Sequence, residues 1–116
     1  MNTIVYGIKN CDTMKKTFKW LDEHEIEYSF HDYKKSGVDL DILKHAIHDH
    51  SWEDVINRRG TSWRKLDDTT KANMNAEKAL IAAQENPSLI KRPLLVHNAQ
   101  SYLGFKADQY SKIFSK

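Results

Sequence analysis

The chain has 116 residues, of which 40% are hydrophobic and 29% charged, with a formal net charge of +2. That length and composition suit one globular domain with a core of its own, and a charge so small and evenly mixed gives no argument for nucleic acid or a membrane surface. No apolar run is long enough to span a bilayer, and a single cysteine rules out an internal disulfide and the usual Cys/His zinc patterns.

Thr3 to Tyr6 reads as a short buried strand. From Asp12 to about His24, Met14, Phe18 and Leu21 recur at helical spacing with Thr17 beside them, giving one packed face and one lysine-rich face. Glu27 to Tyr33 alternates, with Tyr28 and Phe30 on one side, and reads as a second strand. Strand, helix and strand within so short a span predict a βαβ unit with parallel strands.

Lys34 to Gly37 is expected to be a loop. Asp39 can cap a helix with Leu40, Leu43 and Ile47 on its face, and Ser51 a short piece carrying Trp52, Val55 and Ile56. Gly60 is expected to end that helix, with Trp63 and Leu66 anchoring the loop that follows. Lys71 to about Glu85 reads as one helix, with Ala76, Ala79, Leu80 and Ala83 as its narrow face. Asn86-Pro87 then starts a one-turn helix. Leu94 to His97 is a strand, Asn98 to Gln100 a turn, Ser101 to Phe105 its hairpin partner, and Asp108 to Phe114 a terminal helix. The stretch from about 38 to 90 is helical and interrupts the β units, so it reads as an insert within a single domain spanning 1–116. The order is that of a thioredoxin-like α/β fold lacking its first strand, which predicts a four-stranded mixed sheet with helices on both faces.

Cys11 is the centre of the candidate chemistry. A single cysteine is most often a small buried hydrophobe. Here it follows a strand and a turn at Gly7 and falls in the first turn of a helix that Asn10 can cap. Unpaired N–H groups and the helix dipole favour a thiolate there, and Lys9, Lys15, Lys16 and Lys19 add positive charge nearby. That setting lowers a cysteine pKa and makes the sulfur nucleophilic. The partner position of a Cys-x-x-Cys pair holds Met14, so any disulfide must form with another molecule, glutathione being the obvious one in a reducing compartment. No signal-peptide pattern is visible, and a cytoplasmic location is expected.

Arg92-Pro93 precedes the third strand. The peptide bond can be cis or trans, and Arg92 offers a planar donor fork to a carboxylate or oxyanion. Arg58, Arg59 and Arg64 flank Gly60, either as an anion site or as a solvated loop paired with Asp67 and Asp68. His45, His48 and His50 lack a supporting ligand set and read as solvent-facing, so no metal is expected.

The Gly-Ile-Lys-Asn-Cys-Asp-Thr opening resembles the glutaredoxin-type arsenate reductase (ArsC) family, in its Spx/YffB branch. So do Tyr28-x-Phe-His-Asp-Tyr33, Asn57-x-Arg-Gly-Thr61 with Trp63-Arg-Lys-Leu66, and Ile90-Lys-Arg-Pro-Leu94. The likeness runs nearly the full length and is greatest to the YffB-type members. It implies a thioredoxin-like fold with a helical insert, a nucleophilic Cys11 and an anion-binding Arg92 beside a cis Pro93. The family's arsenate reductases carry a histidine four residues before the cysteine, where this chain has Gly7. Of their three oxyanion arginines Arg92 matches one; the other places fall near Asn57 and about Phe105.

The sequence is therefore read as a glutathione-dependent thiol oxidoreductase, a monomer without a tightly bound cofactor. Cys11 is its catalytic residue, and Lys9, Asn10, Lys15, Arg59, Arg92 and Pro93 are its substrate or glutathione contacts. Its partners would be glutathione or an oxidised small molecule or protein thiol, with glutaredoxin as a further candidate. The alternatives are an arsenate reductase coupled to glutathione and glutaredoxin, and an Spx-like regulator that binds RNA polymerase without catalysis.

Overall fold

A computed structural model describes residues 2–116. The chain forms two compact units: one from the segments that end at Asp32 and begin at Arg92, the other from Tyr33 to Lys91.

The first unit holds the sheet. Its strands are β1 (Thr3–Gly7), β2 (Ser29–Asp32), β3 (Leu94–His97) and β4 (Gln100–Leu103), in the order β2-β1-β3-β4. Helix α1 (Asp12–Glu23) makes the crossover between β1 and β2, which pair in parallel with Val5 opposite Phe30. The β1–β3 and β3–β4 pairs are antiparallel. This mixed α/β sheet has the strand pattern of the thioredoxin-like fold. Asn98 and Ala99 both take left-handed φ values (51° and 66°), which is what a two-residue hairpin needs to match strand twist.

The core of this unit is Val5, Met14, Trp20, Leu21, Leu95 and Tyr110, the last from the terminal helix Ala107–Phe114. Burying each of the larger side chains contributes roughly 1.5–3 kcal/mol. Trp20, outside the expected Met14–Phe18–Leu21 stripe, is buried and meets Tyr110 edge-on at 5.6 Å. Phe18 is half-buried, stacks on Tyr28 at 5.7 Å and meets Phe30 edge-on at 5.0 Å. Thr17 is buried because its hydroxyl donates to the Thr13 carbonyl at 2.8 Å.

The second unit is helical: α2 (Tyr33–Ser36), α3 (Leu40–His50), α4 (Trp52–Val55), α5 (Thr61–Arg64), α6 (Asp68–Ala72), α7 (Ala76–Glu85) and a 3₁₀ turn at Pro87–Leu89. Tyr33, Leu43, Ala46, Val55, Ile56, Ala79, Ala83, Leu89 and Ile90 are its buried apolar residues among those described. Asp39 caps α3 as expected, accepting from the Asp41 and Ile42 N–H groups.

Several boundaries differ from expectation. Tyr33 leaves the second strand and opens the helical turn α2, where a loop was expected. The single helix expected from Lys71 to Glu85 is two, because Asn73 closes α6 and the Asn75 side chain caps α7 by accepting from Lys78 N–H at 2.9 Å. Gly60 does not end α4. That helix stops at Val55, since Ile56 turns extended to pair with Ile90, and Gly60 instead precedes α5. Gly104, left-handed at φ 75°, ends β4 before Phe105, which packs on Tyr110 at 4.8 Å.

Candidate active site

Cys11 sits where β1 hands over to α1. Its backbone is extended (φ −137°, ψ 133°), so Cys11 is itself the N-cap, and its carbonyl accepts the Lys15 N–H at 3.0 Å. The expected cap, Asn10, lies outside the helix in an exposed bend. The thiol rather than an amide therefore faces the open N–H groups of the first turn.

Opposed influences act on the sulfur. Partial burial, the largest single one, pushes the thiol up. The Met14 N–H, the Arg92 guanidinium and the Thr13 N–H favour the thiolate, and the charge of Arg92 adds to them; together they hold the thiol below its ordinary value. Thr13 and Met14 are the second and third helical residues, the positions from which N–H groups serve an N-cap. The neutral thiol makes no cap hydrogen bond of full geometry. A thiolate is the stronger acceptor, so these contacts tighten as the proton leaves. The expected lysine field is not what lowers the thiol: Lys9, Lys15, Lys16 and Lys19 are exposed, and none is among the groups that shift Cys11.

The site's floor is Met14, wholly buried where a second cysteine would stand. Gly7 is tied to it. A Cβ on Gly7 would come within 2.6 Å of the Met14 Sδ and Cε atoms. Gly7 is not left-handed, so the position calls for glycine for room rather than for the turn the sequence suggested.

The Arg92–Pro93 peptide bond is cis, as the family resemblance implied. Pro93 is buried, and its carbonyl accepts the Gly104 N–H at 2.9 Å, which fixes the entry to β3. Half-buried Arg92 thereby presents its guanidinium to Cys11. Of the residues singled out from sequence, Cys11, Arg92 and Pro93 come together in the sheet unit, while Lys9, Asn10 and Lys15 sit exposed around the start of α1. Arg59 belongs to the insert unit, exposed between α4 and α5. The contributions of the Thr13 and Met14 N–H groups were not singled out from sequence, though their spacing from an N-cap residue would have pointed to them.

His45 and His48 are exposed, and His48 meets only Asp49, at 3.4 Å. Among the described residues no three His, Cys, Asp or Glu side chains are grouped to hold a metal ion. No helix among them is long and apolar enough to cross a membrane.

Comparison with known proteins agrees with this architecture. A solved structure of the YffB protein is 46% identical and superposes with a TM-score of 0.91, covering 95% of this chain and 96% of its own. An uncharacterised protein of Haemophilus influenzae is 43% identical over 96% of this chain and 97% of its own length. The global transcriptional regulator Spx of Streptococcus pyogenes is 28% identical over 92% of this chain and 81% of its own. The sequence model of the ArsC family matches residues 6–113, a span that holds both Cys11 and the Arg92–Pro93 pair, and the chain belongs to that family.

Proposed function

We propose that the protein is a cytoplasmic thiol–disulfide oxidoreductase that acts as a monomer, with Cys11 as nucleophile and glutathione as co-substrate. The observation that carries this reading is a half-exposed Cys11 held below the ordinary thiol pKa by two helix N–H groups and Arg92, in a chain with no second cysteine. In the first step the Cys11 thiolate attacks one sulfur of a disulfide. A Cys11–sulfur bond forms, the substrate S–S bond breaks, and the other half leaves as a thiolate. An external thiolate, that of glutathione, then attacks the mixed disulfide, forms a new disulfide with the bound half and releases Cys11 as thiolate. Arg92 stabilises Cys11 as attacking and leaving thiolate. Pro93, Lys9, Asn10 and Lys15 are the proposed contacts for the peptide.

Oxidised glutathione should add one tripeptide per chain in the intact mass, and reduced glutathione should remove it. Cys11→Ser should abolish the adduct. Wild-type protein that stays unmodified where a simple model thiol is modified would overturn the reading.

The second reading is an Spx-like protein partner, supported by likeness to Spx over nearly the whole chain. It needs a protein surface and not the thiol, so RNA polymerase subunits recovered equally by wild type and Cys11→Ser would favour it. Arsenate reduction has less support, since Phe105 packs into the aromatic cluster with Tyr110 and Gly7 stands against Met14, where arsenate reductases have an arginine and a histidine.

A further inference from the structure

The insert unit carries a charged cleft that the thiol chemistry does not use. Ile56 and Ile90 form an antiparallel bridge, flanked by the Asn57 N–H donating to the Leu89 carbonyl and the Lys91 N–H donating to the Val55 carbonyl, both at 2.8 Å. This short ladder sets Lys91 beside the turn that carries Arg58 and Arg59. A cleft of about 450 Å³ opens there, lined by Glu53, Asp54, Asn57, Arg58, Arg59 and Lys91. That volume lies within the range of small-molecule sites.

Arg58 is already engaged. Its Nε donates to the Glu53 carbonyl at 3.3 Å, and its guanidinium lies 5.9 Å from the centroid of the Trp52 ring. Asn57 is engaged too, its Oδ1 accepting the Arg59 N–H at 3.3 Å. The remaining four are not: among the described residues, the side chains of Glu53, Asp54, Arg59 and Lys91 make no hydrogen bond or ion pair. Two carboxylates and two cations thus surround one small space without pairing with each other, leaving both signs of charge available to a ligand.

We propose that this cleft binds a small amino-acid or peptide ligand that bears both a free carboxylate and a free ammonium group. The carboxylate meets Arg59 and Lys91, and the ammonium meets Glu53 and Asp54. The γ-glutamyl end of glutathione is a group of this class, so the choice of probe, though not of site, rests on the function proposed above.

S-methylglutathione is the probe, because it has no thiol and no disulfide and cannot react with Cys11. Titrated into ¹⁵N-labelled wild-type protein, it should produce saturable shifts at the amides of Asn57, Arg58, Arg59 and Lys91. Arg59→Gln and Lys91→Gln should each weaken binding about two- to fivefold, as expected for exposed charge pairs. N-acetylation of the probe removes its ammonium and should weaken wild-type binding by a similar factor. The Glu53→Gln, Asp54→Asn double variant should not distinguish the two probes. Absence of shifts at millimolar probe would overturn the inference. So would binding indifferent to N-acetylation and matched by inorganic phosphate, which would mark a site that reads negative charge alone. Protein that forms the Cys11 adduct without these shifts keeps the thiol reading and loses this one; shifts without an adduct do the reverse.

Discussion

Arg92 is the charged side chain that favours the Cys11 thiolate. Alkylating reagents consume the thiolate, so the midpoint of alkylation rate against pH reports the thiol pKa, and for wild type it should lie below the free-thiol value of about 8.5. Arg92→Ala removes a contact and a charge that favour the anion but leaves the burial that opposes it. The midpoint should therefore rise, and glutathionylation at neutral pH should slow about three- to tenfold. Lys9→Ala and Lys15→Ala should leave the midpoint in place; a shift there as large as that of Arg92→Ala would restore the lysine field as the cause. Gly7 gives a second test. Gly7→Ala drives a methyl into the buried Met14 tail and should cost about 1–2 kcal/mol, most of it recovered in a Met14→Ala background. A double-mutant cycle in urea measures that coupling. Cys11 was legible in the sequence because its type and its flanking strand and helix are local. The fit of Gly7 to Met14 was not, since which atoms share a space is decided by packing.

Among the elements, the helix starts separate what a side chain can announce from what it cannot. Asp39 and Asn10 both read as caps. Only Asp39 serves, accepting at 3.1 and 3.2 Å from the first turn of α3. Asp39→Ala should lower stability by about 1 kcal/mol in denaturant unfolding, while Asn10→Ala should fall within about 0.5 kcal/mol of wild type. Equal losses at the two positions would contradict the placement of Cys11 as the cap of α1. The parallel β1–α1–β2 unit and the β3–β4 hairpin followed from hydrophobic period and turn residues alone. The insert's boundaries did not, because Ile56 is drawn out of helix by Ile90, far along the chain, and because Asn73 and Asn75 satisfy backbone groups that a continuous helix would have paired.

For the molecule as a whole, the sheet unit draws its chain from two segments, one ending at Asp32 and one beginning at Arg92, and the helical unit Tyr33–Lys91 lies between them in sequence. The central strand pair joins residues far apart: Thr3 and His97, partners in register and linked through their side chains at 2.8 Å, are 94 positions apart. Bringing such distant segments together from an open chain carries a large loop-closure entropy. The insert is continuous in sequence and needs no strand from outside itself, so it can condense first and shorten the effective loop. Its order of formation should then govern how fast the protein folds. Leu43→Ala, in the insert core, should slow refolding from urea, whereas Leu95→Ala, at the centre of the sheet, should act mainly by speeding unfolding. The opposite partition would mean that β1 and β3 find each other while the insert is still unstructured.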